Sequence, residues 1–315
     1  MRRESCQMPS DEHESDMQKQ VQWPLDLSLS MDGLFGKGQL PKLATVSANL
    51  FFEYHVTTLK LLASGRLELD LLTATIEPFK LILENLASLL TTLISTEQAL
   101  EKPVADLRGS VRMAFETLDN RVSKLTDVRG DLAVTKVEIA LCRSVDNYLI
   151  YISNVIAEIY RSNPRMLKSS EQVTFEDVLQ HGSLDEFVDW AIERRISTLS
   201  FKGFNEISKY VNEKLGLSLV QNSEMRSSIA HLIAVRNLLI HKRGVIDGAF
   251  LRASMEVEQK KGRRYFTTGK DIEGALNSTY EAVCDLDGRA RAKFSLSTIE
   301  TRPDEWWKPF DIGIH

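Results

Sequence analysis

The sequence predicts an all-α protein: a helical bundle preceded by a further helical region. Three observations carry this. From about Pro41 onward apolar residues recur at steps of three and four, the spacing of one helix face. Pro and Gly are sparse, at 8 and 16 of 315 residues, and they sit where helices would start or stop. Only Arg264–Thr268, with Tyr265 and Phe266, reads as a short strand.

Residues 1–22 are charged and Ser-rich without periodicity, and Trp23-Pro24 and Gly33 to Gly38 read as irregular chain. Residues 1–40 are therefore expected to be a flexible tail, and 301–315 a second one. A first helix is expected around 42–64. The next carries Ile76, Phe79, Leu83, Leu86, Leu90 and Leu93 in one stripe, with Pro78 suited to its first turn. Such a stripe is ordinary core or, less often, an inter-subunit coiled coil. A weaker helix follows Pro103. Gly130-Asp131 interrupts the pattern and offers a cap, which puts a domain boundary near 128–131 and makes 41–130 an N-terminal helical region.

The second half opens with a long helix over about 132–162, whose seam is Val134, Leu141, Val145, Tyr148, Ile152, Val155 and Ile159. Helices follow within 174–200 and over 203–214, the latter stopped by Gly216. Asn222 or Ser223 would cap a helix running to Arg243, with Gly244 ending it. A last helix begins near Asp271.

Composition excludes several classes. With 43% hydrophobic and 26% charged residues the chain is an ordinary globular one. Cys6, Cys142 and Cys284 are odd in number and widely spaced, which argues against a disulfide framework and a structural zinc site. No run approaches the about 18 apolar residues of a membrane span, and the polar N-terminus lacks a signal-peptide core. The expectation is a soluble cytoplasmic protein with no membrane contact, no metal and no cofactor. The formal charge of −5 gives no support to nucleic-acid binding, so any such binding must be local.

The helix ending at Arg243 holds the least conventional local choice. At about 100° per residue, Met225, Ile229, Leu232, Leu239 and Ile240 all lie within about 60° of Arg236. A guanidinium amid an apolar stripe needs an anionic partner or a wet cleft. Glu138 is a carboxylate on the apolar seam of the 132–162 helix, so an Arg236–Glu138 pair would satisfy both. Asn237 and His241 are four residues apart and share a side of the helix. Lys242 and Arg243 follow in its last turn. Lys260, Lys261, Arg263 and Arg264, interleaved with Tyr265 and Phe266, are suited to an RNA backbone and a stacked base, although a solvated loop is the plainer reading. His241 has a plain reading too, as a terminal His bonding helix carbonyls, and His231 reads as a surface or interface residue.

Arg236-Asn237-Leu238-Leu239-Ile240-His241 resembles the Arg-x4–6-His motif of the HEPN superfamily. The flanking SNVIAEIYRSNPRML, ERRISTLSFKGFNEISKYVNEKLGL and AVRNLLIHKRGVID stretches are similar to its RiboL-PSP-type branch, over about residues 131–300. The resemblance implies a HEPN-type bundle, a homodimer through that domain, and metal-independent RNA cleavage to a 2′,3′-cyclic phosphate. It implies His241 as proton carrier, Arg236 on the phosphate charge and Asn237 as orienting group, in an effector of toxin or antiphage defence type. A catalytically silent RNA-binding or dimerising module is the alternative, and the N-terminal helices would suit a regulatory protein partner.

Overall fold

The computed structural model describes residues 41–96, 101–167, 173–200, 202–254 and 260–300. The expected tails at 1–40 and 301–315, with Cys6, lie outside these residues. Among the described residues the chain is all-α but for one two-stranded antiparallel sheet, β1 (Leu43–Ala44) against β2 (Ile299–Glu300), with Leu43 opposite Glu300. The helices are α1 (Val46–Thr96), α2 (Glu101–Ser162), α3 (Phe175–Leu179), α4 (Leu184–Ser200), α5 (Phe204–Leu215), α6 (Ser223–Lys242), α7 (Gly248–Ser254) and α8 (Gly269–Phe294). A 3-10 turn, Pro164–Leu167, follows α2 at Pro164. No helix among the described residues is long and apolar enough to cross a membrane.

The first two helices differ from expectation. α1 runs unbroken for 51 residues with Pro78 in its interior rather than in a first turn. α2 runs for 62 residues straight through Gly130-Asp131. A glycine inside a helix costs only about 1 kcal/mol relative to alanine, which a helix this long absorbs. The expected border at 128–131 is thus no break in the chain. Instead the molecule divides inside both helices: one compact unit holds the described residues 41–55 and 144–300, the other is Val56–Arg143.

In the first unit the α2 seam is buried from Val145 through Tyr148, Ile152, Val155 and Ile159. It meets Phe51 and Phe52 of α1, Ile207, Val211 and Leu215 of α5, Ile229 of α6, and Val283, Leu286 and Ala290 of α8 in one core. The start of α1 belongs to this body for specific reasons. Thr45 donates from Oγ1 to Asp287 Oδ1 at 2.6 Å, and Asn147 Nδ2 donates to the Phe51 carbonyl at 2.9 Å. Arg291 Nη1 donates to the Leu43 carbonyl at 2.7 Å. Phe51 meets Phe52 and Tyr151 edge-on, with centroids 5.6 and 6.0 Å apart. Cys284 is in no disulfide among the described residues, nor is Cys142 of the second unit, and burial pushes the Cys284 thiol up to about 11.

In the second unit Val137, Ala140 and Leu141 of α2 are buried, but Val134, expected on the same seam, is 41% exposed. Most described side chains over 78–89 and 109–124 face solvent.

Candidate active site

Helix α6 is defined at both ends by local chemistry. Asn222 Oδ1 accepts from the backbone N–H groups of Glu224 and Met225, at 2.8 and 3.2 Å, satisfying donors that have no partner within the helix. At the other end Arg243 and Gly244 both take left-handed backbone, φ 52° and 77°, and the Gly244 N–H returns to the Leu238 carbonyl at 3.1 Å. Between these ends Ile229, Leu232, Val235 and Leu238 are buried, and the helix packs against α7 and α8.

This register moves Arg236 from the middle of the apolar face to its edge. Ile240, expected beside it in the stripe, is 46% exposed, and Asn237 and His241 are also exposed. The guanidinium is held on two sides. Its Nη2 lies 2.8 Å from Asp146 Oδ1 of α2, and its Nη1 donates to Asn237 Oδ1 at 2.9 Å. Its Nε is buried without a hydrogen-bond partner among the described residues. The expected partner, Glu138, is replaced by Asp146. Glu138 is half-buried, lies in the other unit and has interactions of its own. Steps of three and four along the seam pass through Glu138 and Val145. Asp146 is one residue beyond Val145 and therefore about 100° round the helix, at the rim where a half-buried arginine reaches it.

The structure gathers the two basic stretches that the sequence separates. The Ile246 N–H donates to the Arg263 carbonyl at 2.9 Å, the Tyr265 N–H to the Gly244 carbonyl at 2.8 Å, and the Gly262 N–H to the Ile246 carbonyl at 2.8 Å. Val245 pairs with Arg264 as a single antiparallel bridge, so the expected strand at 264–268 is reduced to one residue. Tyr265 anchors this loop: it is buried against Phe250, with ring centroids 5.3 Å apart. Lys260, Lys261, Arg263, Arg264 and Phe266 are left in solvent beside the end of α6, where His241, Lys242 and Arg243 are also exposed.

His231, read from the sequence as a surface or interface residue, is instead an internal clamp. Its Nε2 is 3.6 Å from Asp271 Oδ1, and its ring faces Phe250 and Tyr265 at 6.3 and 6.5 Å. Asp271 also closes the capping box of α8, accepting from Thr268 N and Oγ1 at 2.7 and 2.9 Å. Burial alone would raise the Asp271 carboxyl. The hydrogen bonds from His231, Thr268 and Tyr265 outweigh it and hold the group below its ordinary value. The Thr268-x-x-Asp271 spacing was a legible cap signal; the His231 contact was not.

No group of three or more His, Cys, Asp or Glu side chains that could hold a metal converges among the described residues. A separate open cleft is lined by Val46, Ser47, Leu50, Asn154, Glu158 and Arg161. Its charges are already taken up, Glu158 by the Ser47 hydroxyl at 2.6 Å and Arg161 by Asp189 at 2.9 Å. Comparisons with protein-family models, with curated proteins and with solved structures found no match.

Proposed function

We propose that the C-terminal end of α6 is the active site of an RNA endonuclease of HEPN type. The observation that carries the reading is the clustering at one helix end. Arg236 is held in place by Asp146 and Asn237, His241 is exposed in the last turn, and Lys242, Arg243, Lys260, Lys261, Arg263 and Arg264 lie exposed at that end and in the loop bonded to it. Such a cluster binds phosphates locally whatever the net charge of −5. The exposed Phe266 offers a face on which a base can stack.

In the reaction, His241 takes the proton of a ribose 2′-hydroxyl, or returns one to the leaving oxygen. The 2′-oxygen attacks phosphorus, the bond from phosphorus to the 5′-oxygen breaks, and the products are a 2′,3′-cyclic phosphate and a 5′-hydroxyl. Arg236 stabilises the charge on the phosphate oxygens, and Asn237 orients either the phosphate or the arginine. RNA is the partner at this face. A homodimer and a setting in toxin or antiphage defence follow from the resemblance, and a regulatory protein on the N-terminal helices is a further part of the same proposal.

The test is cleavage of total RNA and of a tRNA pool in EDTA, with product ends mapped. Arg236→Ala is expected to lose roughly 10²–10³-fold and His241→Ala roughly 10²–10⁴-fold. Asp146→Asn, which loosens the arginine without removing it, is expected to lose roughly ten- to a hundredfold. One observation favours a second reading: both Nη groups of Arg236 are already engaged by its own chain, as in a structural ion pair. A silent RNA-binding module would show no cleavage by the folded wild type, while RNA affinity would still fall when Lys261, Arg263 and Arg264 are neutralised.

A further inference from the structure

Four large apolar side chains of α1 face solvent in one row: Phe79 is 60% exposed, Ile82 56%, Leu86 44% and Leu89 63%. Their spacing of three, four and three places them at successive a and d positions of a heptad, the seam that one helix presents to another. From Pro78 to Thr96 the only charged residues are Lys80 and Glu84. Counted from Phe79 as position a, these fall at b and f, away from the seam. α2 differs: over 109–124 its described exposed residues are Gly109, Ser110, Arg112, Met113, Glu116, Thr117, Asn120 and Lys124, polar except for one methionine and one glycine. Farther along α2, Leu132, Val134 and Ile139 are exposed as well, but they do not repeat the 3-4-3 spacing of the α1 row.

We propose that this row is a self-association surface, seated antiparallel on the same row of a second copy of this chain. Three features select a second copy. A 3-4-3 spacing is palindromic, so a two-fold axis level with Glu84 maps the row onto itself: Phe79 meets Leu89 of the other copy, and Ile82 meets its Leu86. The sequence puts no charge at an a or d position of that seam. The four side chains of the row present roughly 400 Å² of apolar surface, the size of patch that in soluble proteins is often functional. It is also close to the apolar share of the about 800 Å² that each partner buries in a stable interface. The surface is distinct from the α6 end and does not depend on any catalytic activity there.

The test is the mass in solution of the full chain, by sedimentation equilibrium at micromolar concentration. The wild type is expected at twice 35.7 kDa. Ile82→Lys and Leu86→Glu, each alone, are expected at the one-copy mass with unchanged helical circular dichroism. An equimolar mixture of the two is expected to recover the two-copy mass, because antiparallel seating puts residue 82 of one chain against residue 86 of the other. Hydrogen exchange on the wild type checks the same point without a variant: amides over 79–89 gain protection as the protein is concentrated. A one-copy wild type overturns the proposal. So do variants that stay paired with intact helix, a mixture that fails to pair, or protection gained at α6 in place of α1.

Discussion

His55 lies against Phe51 and Tyr280 with ring centroids 5.6 and 5.7 Å away, and its Nδ1 meets no hydrogen-bond partner among the described residues. Burial lowers its pKa from 6.5 to about 4, so the ring is folded neutral. Between pH 6.5 and 4 the unfolded chain takes up a proton that the folded chain refuses, so stability falls as pH falls through that window. Two carboxylates modify the acid end. Asp271, held below its ordinary value, contributes stability above 3.8 that is lost as pH drops further. Asp287 works the other way: burial raises it despite Thr45 and Arg291, so its contribution is present in acid and is lost as pH rises through its folded value. Urea titrations at pH 7 and pH 4.5 should differ by about 2–3 kcal/mol in the wild type and by much less in His55→Phe, which keeps the ring stack and removes the proton site.

At the scale of the element, Gly244 joins α6 to the basic loop. Its φ of 77° lies where an L side chain is strained, and its carbonyl accepts from Tyr265. A methyl group there would lie 3.5 Å from Arg264 Cγ and 3.7 Å from the Tyr265 carbonyl, ordinary contacts, so the cost is one of backbone conformation and not of space. Gly244→Ala should therefore lose about 1–2 kcal/mol in urea denaturation. If the loop is part of the RNA face, it should also weaken RNA binding with the helix content retained. Pro78 shows a reverse case. Its ring denies the Ala74 carbonyl a hydrogen bond, yet α1 continues through it. Local signals at helix ends were reliable at Asn222 and Gly216, and misleading where Pro or Gly sat inside a longer helix.

The whole molecule places one continuous helix in two units. From Ser144 to Ile159 nearly every seam residue of α2 is fully buried, whereas over 109–124 the described side chains face solvent. Backbone amides open more readily where few apolar contacts hold them. Hydrogen exchange along α2 at low protein concentration should show a step near Arg143, with strong protection after it and faster exchange before it. Uniform protection along the helix would contradict the division at Arg143.

The sequence by itself determined the helical class, helices α5 and α6 and the start of α8 to within a few residues, and the segment that holds Arg236, Asn237 and His241, but not α7. These follow from periodicity and from caps, which are local: a side chain three or four residues away, or one bonding its own backbone, is enough. Only the tertiary structure decided that Arg236 meets Asp146, that His231 meets Asp271, that the 260–264 loop bonds to the end of α6, and that residues 43–55 belong to the C-terminal body. Each of these pairs groups far apart in the chain. A one-residue change in which side of a helix faces its neighbour exchanges one carboxylate for another, and periodicity alone does not fix how two helices are turned toward each other.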